Sequence, residues 1–118
     1  MKINMIFHLD EDIYNVIKTG TKNVEVRLND EKRRNLKKGD IIKFINRGDE
    51  SQYIVAKIID LSYYDNFEEL IKHYDIENVY LKGYSKEDFI NLLTRFYTLE
   101  DQQKYGVVAI SFEVIEIL

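Results

Sequence analysis

Val24, Val26 and Leu28 alternate with Asn23, Glu25 and Arg27, the period-two pattern of a half-buried strand. One face of that strand is apolar. The other presents an amide, a carboxylate and a guanidinium, and Lys22 stands at its mouth. The same period predicts a first strand over residues 2–9, with Ile3, Met5 and Phe7 on one face. It predicts a closing strand over residues 107–118, where Val108, Ile110, Phe112 and Val114 face one way and Val107, Ala109, Ser111, Glu113 and Ile115 the other. Two further strands, around Ile41–Ile45 and Ser51–Leu61, flank the glycine-containing loop Asn46-Arg47-Gly48-Asp49-Glu50, which reads as a hairpin. In the longer of them Tyr53, Val55, Lys57 and Ile59 alternate with Ile54, Ala56, Ile58 and Asp60. Both faces are mostly apolar at the centre, which predicts packing above and below.

Helical spacing enters between these strands. Asp10 is placed to cap a helix with Glu11 and Asp12 in its first turn, where carboxylates suit the dipole. Ile13, Tyr14, Val16 and Ile17 form its apolar stripe, and Gly20 is a suitable left-handed stop. Asn29 or Asp30 can start a short helical turn to Leu36, and Lys38-Gly39-Asp40 reads as a turn. Asp65 or Asn66 caps a helix through Phe67, Leu70 and Ile71, followed by a linking segment with Ile76, Val79 and Tyr80. Ser85 and Asp88 have the spacing of a capping box. They open a helix in which Phe89, Leu92, Leu93 and Phe96 share one predicted buried face. Leu99–Tyr105 is a last helical piece, stopped by Gly106. The order is β-α-β-(short helix)-β-β-α-α-β, an α+β arrangement whose long strands imply a coiled or closed sheet.

At 118 residues the chain is read as one domain, 1–118, with 45% hydrophobic and 32% charged residues. No cysteine is present, which removes disulfide and thiolate chemistry. No apolar run reaches the roughly 20 residues of a membrane span, and a cytoplasmic location is expected. His8 and His73, the only histidines, lie in distant segments, so neither a metal site nor a cofactor is indicated. The net charge of −4 is uneven. Residues 1–48 hold 11 basic and 7 acidic side chains, whereas residues 49–118 hold 6 and 14. The basic material clusters at Lys32-Arg33-Arg34 and Lys37-Lys38, directly after the central strand. For so short a cluster a solvated face is the favoured reading, and an attraction for phosphates is the alternative. Glu25 and Arg27, as same-face neighbours, are equally open to two readings: an ordinary ion pair or part of a site.

Gly20-x-Lys22-x-x-Glu25-x-Arg27 resembles the signature of ASCH domains, a branch of the PUA-like barrels. Lys38-Gly39-Asp40-Ile41-Ile42-x-Phe44 resembles the family's following turn and strand, and Tyr105-Gly106-Val107-Val108-Ala109-Ile110-x-Phe112 its closing strand. The resemblance implies a PUA-like mixed β-barrel of about five to six strands with helices packed at one side, and a cleft lined by Lys22, Glu25 and Arg27. It implies binding of RNA or of a modified nucleoside or nucleotide. Lys22 and Arg27 would contact phosphate or base, Glu25 would orient the ligand, and Lys32, Arg33 and Arg34 would add nonspecific attraction. Asn46, Tyr105 and Ser111 complete the candidate ligand-facing set.

The alternative implied by the family is a small hydrolase, either a nucleoside amidohydrolase or a ribonuclease, built on Lys22. The amidohydrolase relatives place a threonine three residues beyond the lysine, where this chain has Glu25, and Thr21 does not replace it. That departure removes the nucleophile such a mechanism needs. For a ribonuclease, Lys22, Ser111 and Tyr105 would be the groups to suspect. A monomer and a homodimer are both compatible with the pattern.

Overall fold

The computed structural model describes residues 1–118. Its strands are β1 (Met5–Leu9), β2 (Val24–Leu28), β3 (Ile41–Asn46), β4 (Tyr53–Tyr64) and β5 (Val107–Ile117). Its helices are α1 (Glu11–Lys18), α2 (Phe67–Ile71), α3 (Ile76–Val79), α4 (Lys86–Phe96) and α5 (Leu99–Tyr105). The strands form one sheet in the order β1-β3-β4-β5-β2, parallel only between β1 and β3. Register shifts between Val55 and Ala56 and between Ile58 and Asp60 interrupt the long β4–β5 ladder. Such bulges bend a strand and increase its twist. The sheet curls into a half barrel, the α+β, PUA-like form that the sequence blocks imply, with β1 and β2 as its two edges.

Alternation along β5 divides the interior into two cores. Val108, Ile110 and Phe112 enter the concave side with Phe7, Phe44, Ile54, Ala56 and Ile58. Phe44 stacks on Phe7 at 5.6 Å and meets Phe112 at 4.9 Å, so three strands share one aromatic column. Tyr14 and Ile17 of α1 close this side. Val107 and Ala109 point outward and join Val24, Val26 and Leu28 beneath Phe67, Leu70, Phe89 and Leu93 of the helical segment. At roughly 1.5–3 kcal/mol for each fully buried large apolar side chain, both cores are substantial.

Several local expectations change. β1 starts at Met5 rather than residue 2, and no helix forms between Asn29 and Leu36, where the chain makes turns. Residues 76–79, expected as a link, form α3. Asp10 occupies the N-cap position of α1 without capping it, because its carboxylate binds Arg47 at 3.0 Å. The outward face of β4 is not packed throughout. Val55 is buried, but Lys57 and Ile59 are exposed because the helices cover the β5–β2 side of the sheet. Phe96, on the expected buried stripe of α4, is 71% exposed, because the stripe runs past the core at Leu93. Gly20 has a φ of +91°, the left-handed stop its position requires.

Candidate functional site: a charged cleft between half barrel and helices

β2 pairs only with β5, and the register sets which way its charges point. Glu25 lies opposite Ile110 and Arg27 opposite Val108, so both side chains project with the concave face. They reach the gap between the two sheet edges. There the Arg27 guanidinium lies 4.9 Å from the centre of the Phe7 ring on β1.

Lys22, Glu25 and Arg27 form one ionic group. The Lys22 ammonium meets Glu25 Oε1 at 3.0 Å, and Glu25 Oε2 accepts from Arg27 Nη2 at 2.8 Å and from Nε at 3.1 Å. Lys22 is only 2% exposed, so its remaining two N–H groups need acceptors. They donate to the carbonyl oxygens of Val24 and, at 2.8 Å, of Val79 at the end of α3. Asn23 N donates to the Asn78 carbonyl, and Asn78 Nδ2 donates to the Thr21 carbonyl. Lys22 is therefore the buried centre of a clasp that holds α3 to the entry of β2.

Electrostatics follow from this packing. Burial alone would raise the Glu25 pKa, but Lys22 and Arg27 overcome it and hold the carboxyl at about 2. Burial pulls the Lys22 pKa below its ordinary value, and Glu25 offsets part of that fall. For Arg27, burial is outweighed by Glu25 and by the Tyr97 phenol, which favour the charged form. Glu25 takes two of the five Arg27 N–H groups, the Tyr97 phenol lies beside the guanidinium, and the Arg27 side chain is 20% exposed.

These groups lie in a cleft of about 270 Å³. The half barrel contributes His8, Leu9, Glu25, Val26 and Arg27. The helical segment contributes an apolar and aromatic wall of Val79, Tyr80, Phe89, Leu92, Leu93, Phe96 and Tyr97. Tyr80 stacks on Phe89 at 4.9 Å, so that wall is built rather than loose. Asp10 and Arg47, an ion pair, stand at the rim. A wider hollow of about 570 Å³ beside α5, lined by residues such as Asn66, Gln102 and Tyr105, contains no buried ionic group.

Of the residues singled out in the sequence, the cleft gathers Lys22, Glu25 and Arg27. It does not gather the others. Lys32 is exposed; Arg33 pairs with Asp30 at 2.8 Å; Arg34 donates to the Asn29 carbonyl and lies over the Tyr105 ring. All three follow β2 at its far end. Ser111 lies opposite Val24, and so on the other face of the sheet from Glu25. Tyr105 borders the hollow by α5. Asn46 is fully buried and shapes the hairpin, accepting from Gly48 N at 2.8 Å and donating to Gln52. The aromatic wall escaped the sequence reading. Its only signal is the density of Tyr and Phe between residues 80 and 97, which helical spacing assigns equally well to core.

The family model for the ASCH domain matches residues 8–116. The chain belongs to the ASCH domain family. Among curated proteins none matches. Among solved structures, this ASCH domain is similar to the hypothetical protein PH0355, with 39% identity and a TM-score of 0.82 over 94% of this chain and 98% of that one. It is also similar to protein PF0455 from Pyrococcus furiosus, with 37% identity and a TM-score of 0.75 over 95% and 97% of the two chains. A mutant of ZmASCH from Zymomonas mobilis shares the fold at 15% identity, with a TM-score of 0.67 over 98% of this chain and 73% of that one. No helix of this ASCH domain is long and apolar enough to cross a membrane.

Proposed function

We propose that this ASCH domain binds a nucleoside-type ligand, free or as part of RNA, with the base inserted between Arg27 and the aromatic wall. The observation that carries this reading is the contrast inside the cleft. A buried ionic group whose guanidinium keeps N–H groups that Glu25 does not take stands beside an apolar and aromatic wall. A planar heterocycle needs both parts. Its faces gain from aromatic contact, at about 1–3 kcal/mol per stacked base, and its edge offers acceptors to a fixed guanidinium. The volume stands just below the usual range of about 300–1,000 Å³ for ligand pockets, which suits one base with its sugar.

Binding accounts for the geometry better than turnover does. A general base must direct a lone pair at its substrate. The Lys22 nitrogen is committed to Glu25, Val24 and Val79. Ser111 and Tyr105, the groups suspected for a ribonuclease, do not line the cleft.

A thermal-shift screen against nucleosides, acylated nucleosides, nucleotides and short single-stranded RNAs tests the proposal, with each hit followed over time by mass spectrometry. Stabilisation without a mass change, lost in Arg27→Ala, is the expected result. Consumption of a hit would replace binding with catalysis, and no shift from any ligand class would overturn the proposal.

A further inference from the structure

A sheet with one solvated face alternates apolar residues inward with polar residues outward. The convex face of this sheet departs from that pattern. Phe7, Phe44 and Ile54 enter the concave core, so their neighbours along each strand point outward. The register aligns these in rows: Ile6–Lys43–Val55–Glu116, His8–Ile45–Tyr53 and Ile41–Lys57–Glu113. Five of these ten side chains are apolar or aromatic, and none of the five belongs to either core. The helices cover the β5–β2 side and leave this face open. Val55, at its centre, is 4% exposed, and Ile6, at its edge, is 49% exposed.

The charges on this face are sorted by strand. Lys43 stands on β3 and Lys57 on β4, whereas Glu113 and Glu116 stand on β5. None of the four forms an ion pair within the chain. The Lys43 ammonium instead lies 4.1 Å from the centre of the Tyr53 ring. The face therefore has a basic flank and an acidic flank with Val55 between them. A nucleic acid would meet the two glutamates there, and a wholly acidic or wholly basic partner would match only half of it. A second copy of the same face, turned over, matches both flanks.

We propose that this face is the interface of a reversible homodimer, in which two copies pack sheet against sheet about a two-fold axis running along β4. Such an interface is self-complementary, each contact occurring twice. The axis sets Val55 against the partner's Val55 and Tyr53 against the partner's Tyr53. It sets Lys43 against the partner's Glu116, because these two residues share a row on either side of Val55. Apolar contact supplies affinity, and the charged flanks fix orientation. Two convex faces meet over a limited area, below the roughly 800 Å² that each partner contributes to a standard interface, so the dimer dissociates on dilution. Lys22, Glu25 and Arg27 lie in the cleft between half barrel and helices, so both clefts stay open.

Sedimentation equilibrium of the intact protein over a concentration series tests the proposal, with the melting temperature of each variant as the control for folding. The wild type is expected to show a monomer–dimer equilibrium. Lys43→Glu alone and Glu116→Lys alone are each expected to weaken dimerisation about tenfold or more, because like charges then meet across the axis. An equal mixture of the two variants is expected to restore the dimer at concentrations where each alone is monomeric. In that mixture each altered residue faces its opposite charge on the other chain. A change confined to one chain is not rescued by mixing, so this outcome separates an interface from a local effect of either charge. A monomer at every concentration would overturn the proposal. A dimer that neither variant weakens, or that the mixture does not restore, would overturn it as well.

Discussion

Two groups of cations flank β2, and they are built in opposite ways. Lys22 and Arg27, at its entry and on its length, are few, spaced by polar alternation and enclosed around a single carboxylate. Lys32, Arg33 and Arg34, beyond its end, are consecutive and sit on a turn. In the sequence the second group has the greater charge density. In the fold its ion pair and hydrogen bond are local, Arg33 to Asp30 and Arg34 to the Asn29 carbonyl, and Arg34 lies over the Tyr105 ring. The difference teaches that burial, rather than the number of charges, turns ionic groups into a site. An exposed pair is solvated and screened, and contributes about 0–1 kcal/mol. A buried group must have its partners in place, and so fixes the geometry of everything attached to it.

The largest expected effect comes from removing the shared carboxylate. Glu25→Ala leaves two enclosed cations without a partner and is expected to cost about 3–5 kcal/mol in urea unfolding. A loss below about 1 kcal/mol would place this group in the same class as the exposed loop. The pH dependence sharpens the comparison. The Glu25 pKa is about 2 in the folded chain, against an ordinary 4.5. Between those values the unfolded chain binds more protons, so stability falls as pH falls. The contribution is complete above pH 4.5 and is lost on acidification toward pH 2, about 3 kcal/mol in all. Unfolding free energies of wild type and Glu25→Ala should converge over that window, and parallel curves would refute the assignment.

Lys22→Met comes next, because Glu25 keeps Arg27. The substitution orphans the carbonyls of Val24 and Val79, and a loss of about 1–3 kcal/mol is expected. Hydrogen exchange should show α3 loosening more than β3. Uniform loosening would mean that Lys22 does not act as the clasp described. Arg27→Ala is expected to lose only about 1 kcal/mol, since its side chain is partly exposed and its removal leaves the Lys22–Glu25 pair intact. It is expected to abolish ligand binding. Arg27→Lys should also bind poorly, because a lysine cannot hold Glu25 with two bonds and still present a fixed donor.

Much of the fold was legible because its strands have one wet or one differently packed face. The β5 alternation sorts Val108, Ile110 and Phe112 from Val107 and Ala109, and these enter different cores as predicted. The site was half legible. Lys22, Glu25 and Arg27 are close in sequence, and one strand brings them together. Ser111 shows where that reasoning stops. Whether it shares a face with Glu25 depends on the β2–β5 register, and a shift of one residue reverses the answer. The cleft wall was not legible either. Tyr80 and Tyr97 come from separate turns of the helical segment, and no local pattern states that they meet the edge of a sheet. Phe96 misled for the same reason. Helical spacing predicts a common face but not where the partner surface ends.

The smallest expected effect belongs to the basic turn, and it tests the comparison from the other side. Replacing Lys32, Arg33 and Arg34 together with Ala removes one partly buried ion pair and one hydrogen bond to a carbonyl. About 1 kcal/mol or less of stability is expected to be lost. Affinity for an uncharged nucleoside should stay at the wild-type value, because none of the three lines the cleft. If weak, salt-sensitive association with RNA exists, it should fall, since each released phosphate contact lowers the salt dependence in proportion. Loss of nucleoside affinity in this triple variant would show that the two groups of cations act as one surface, and the contrast between them would no longer describe the site.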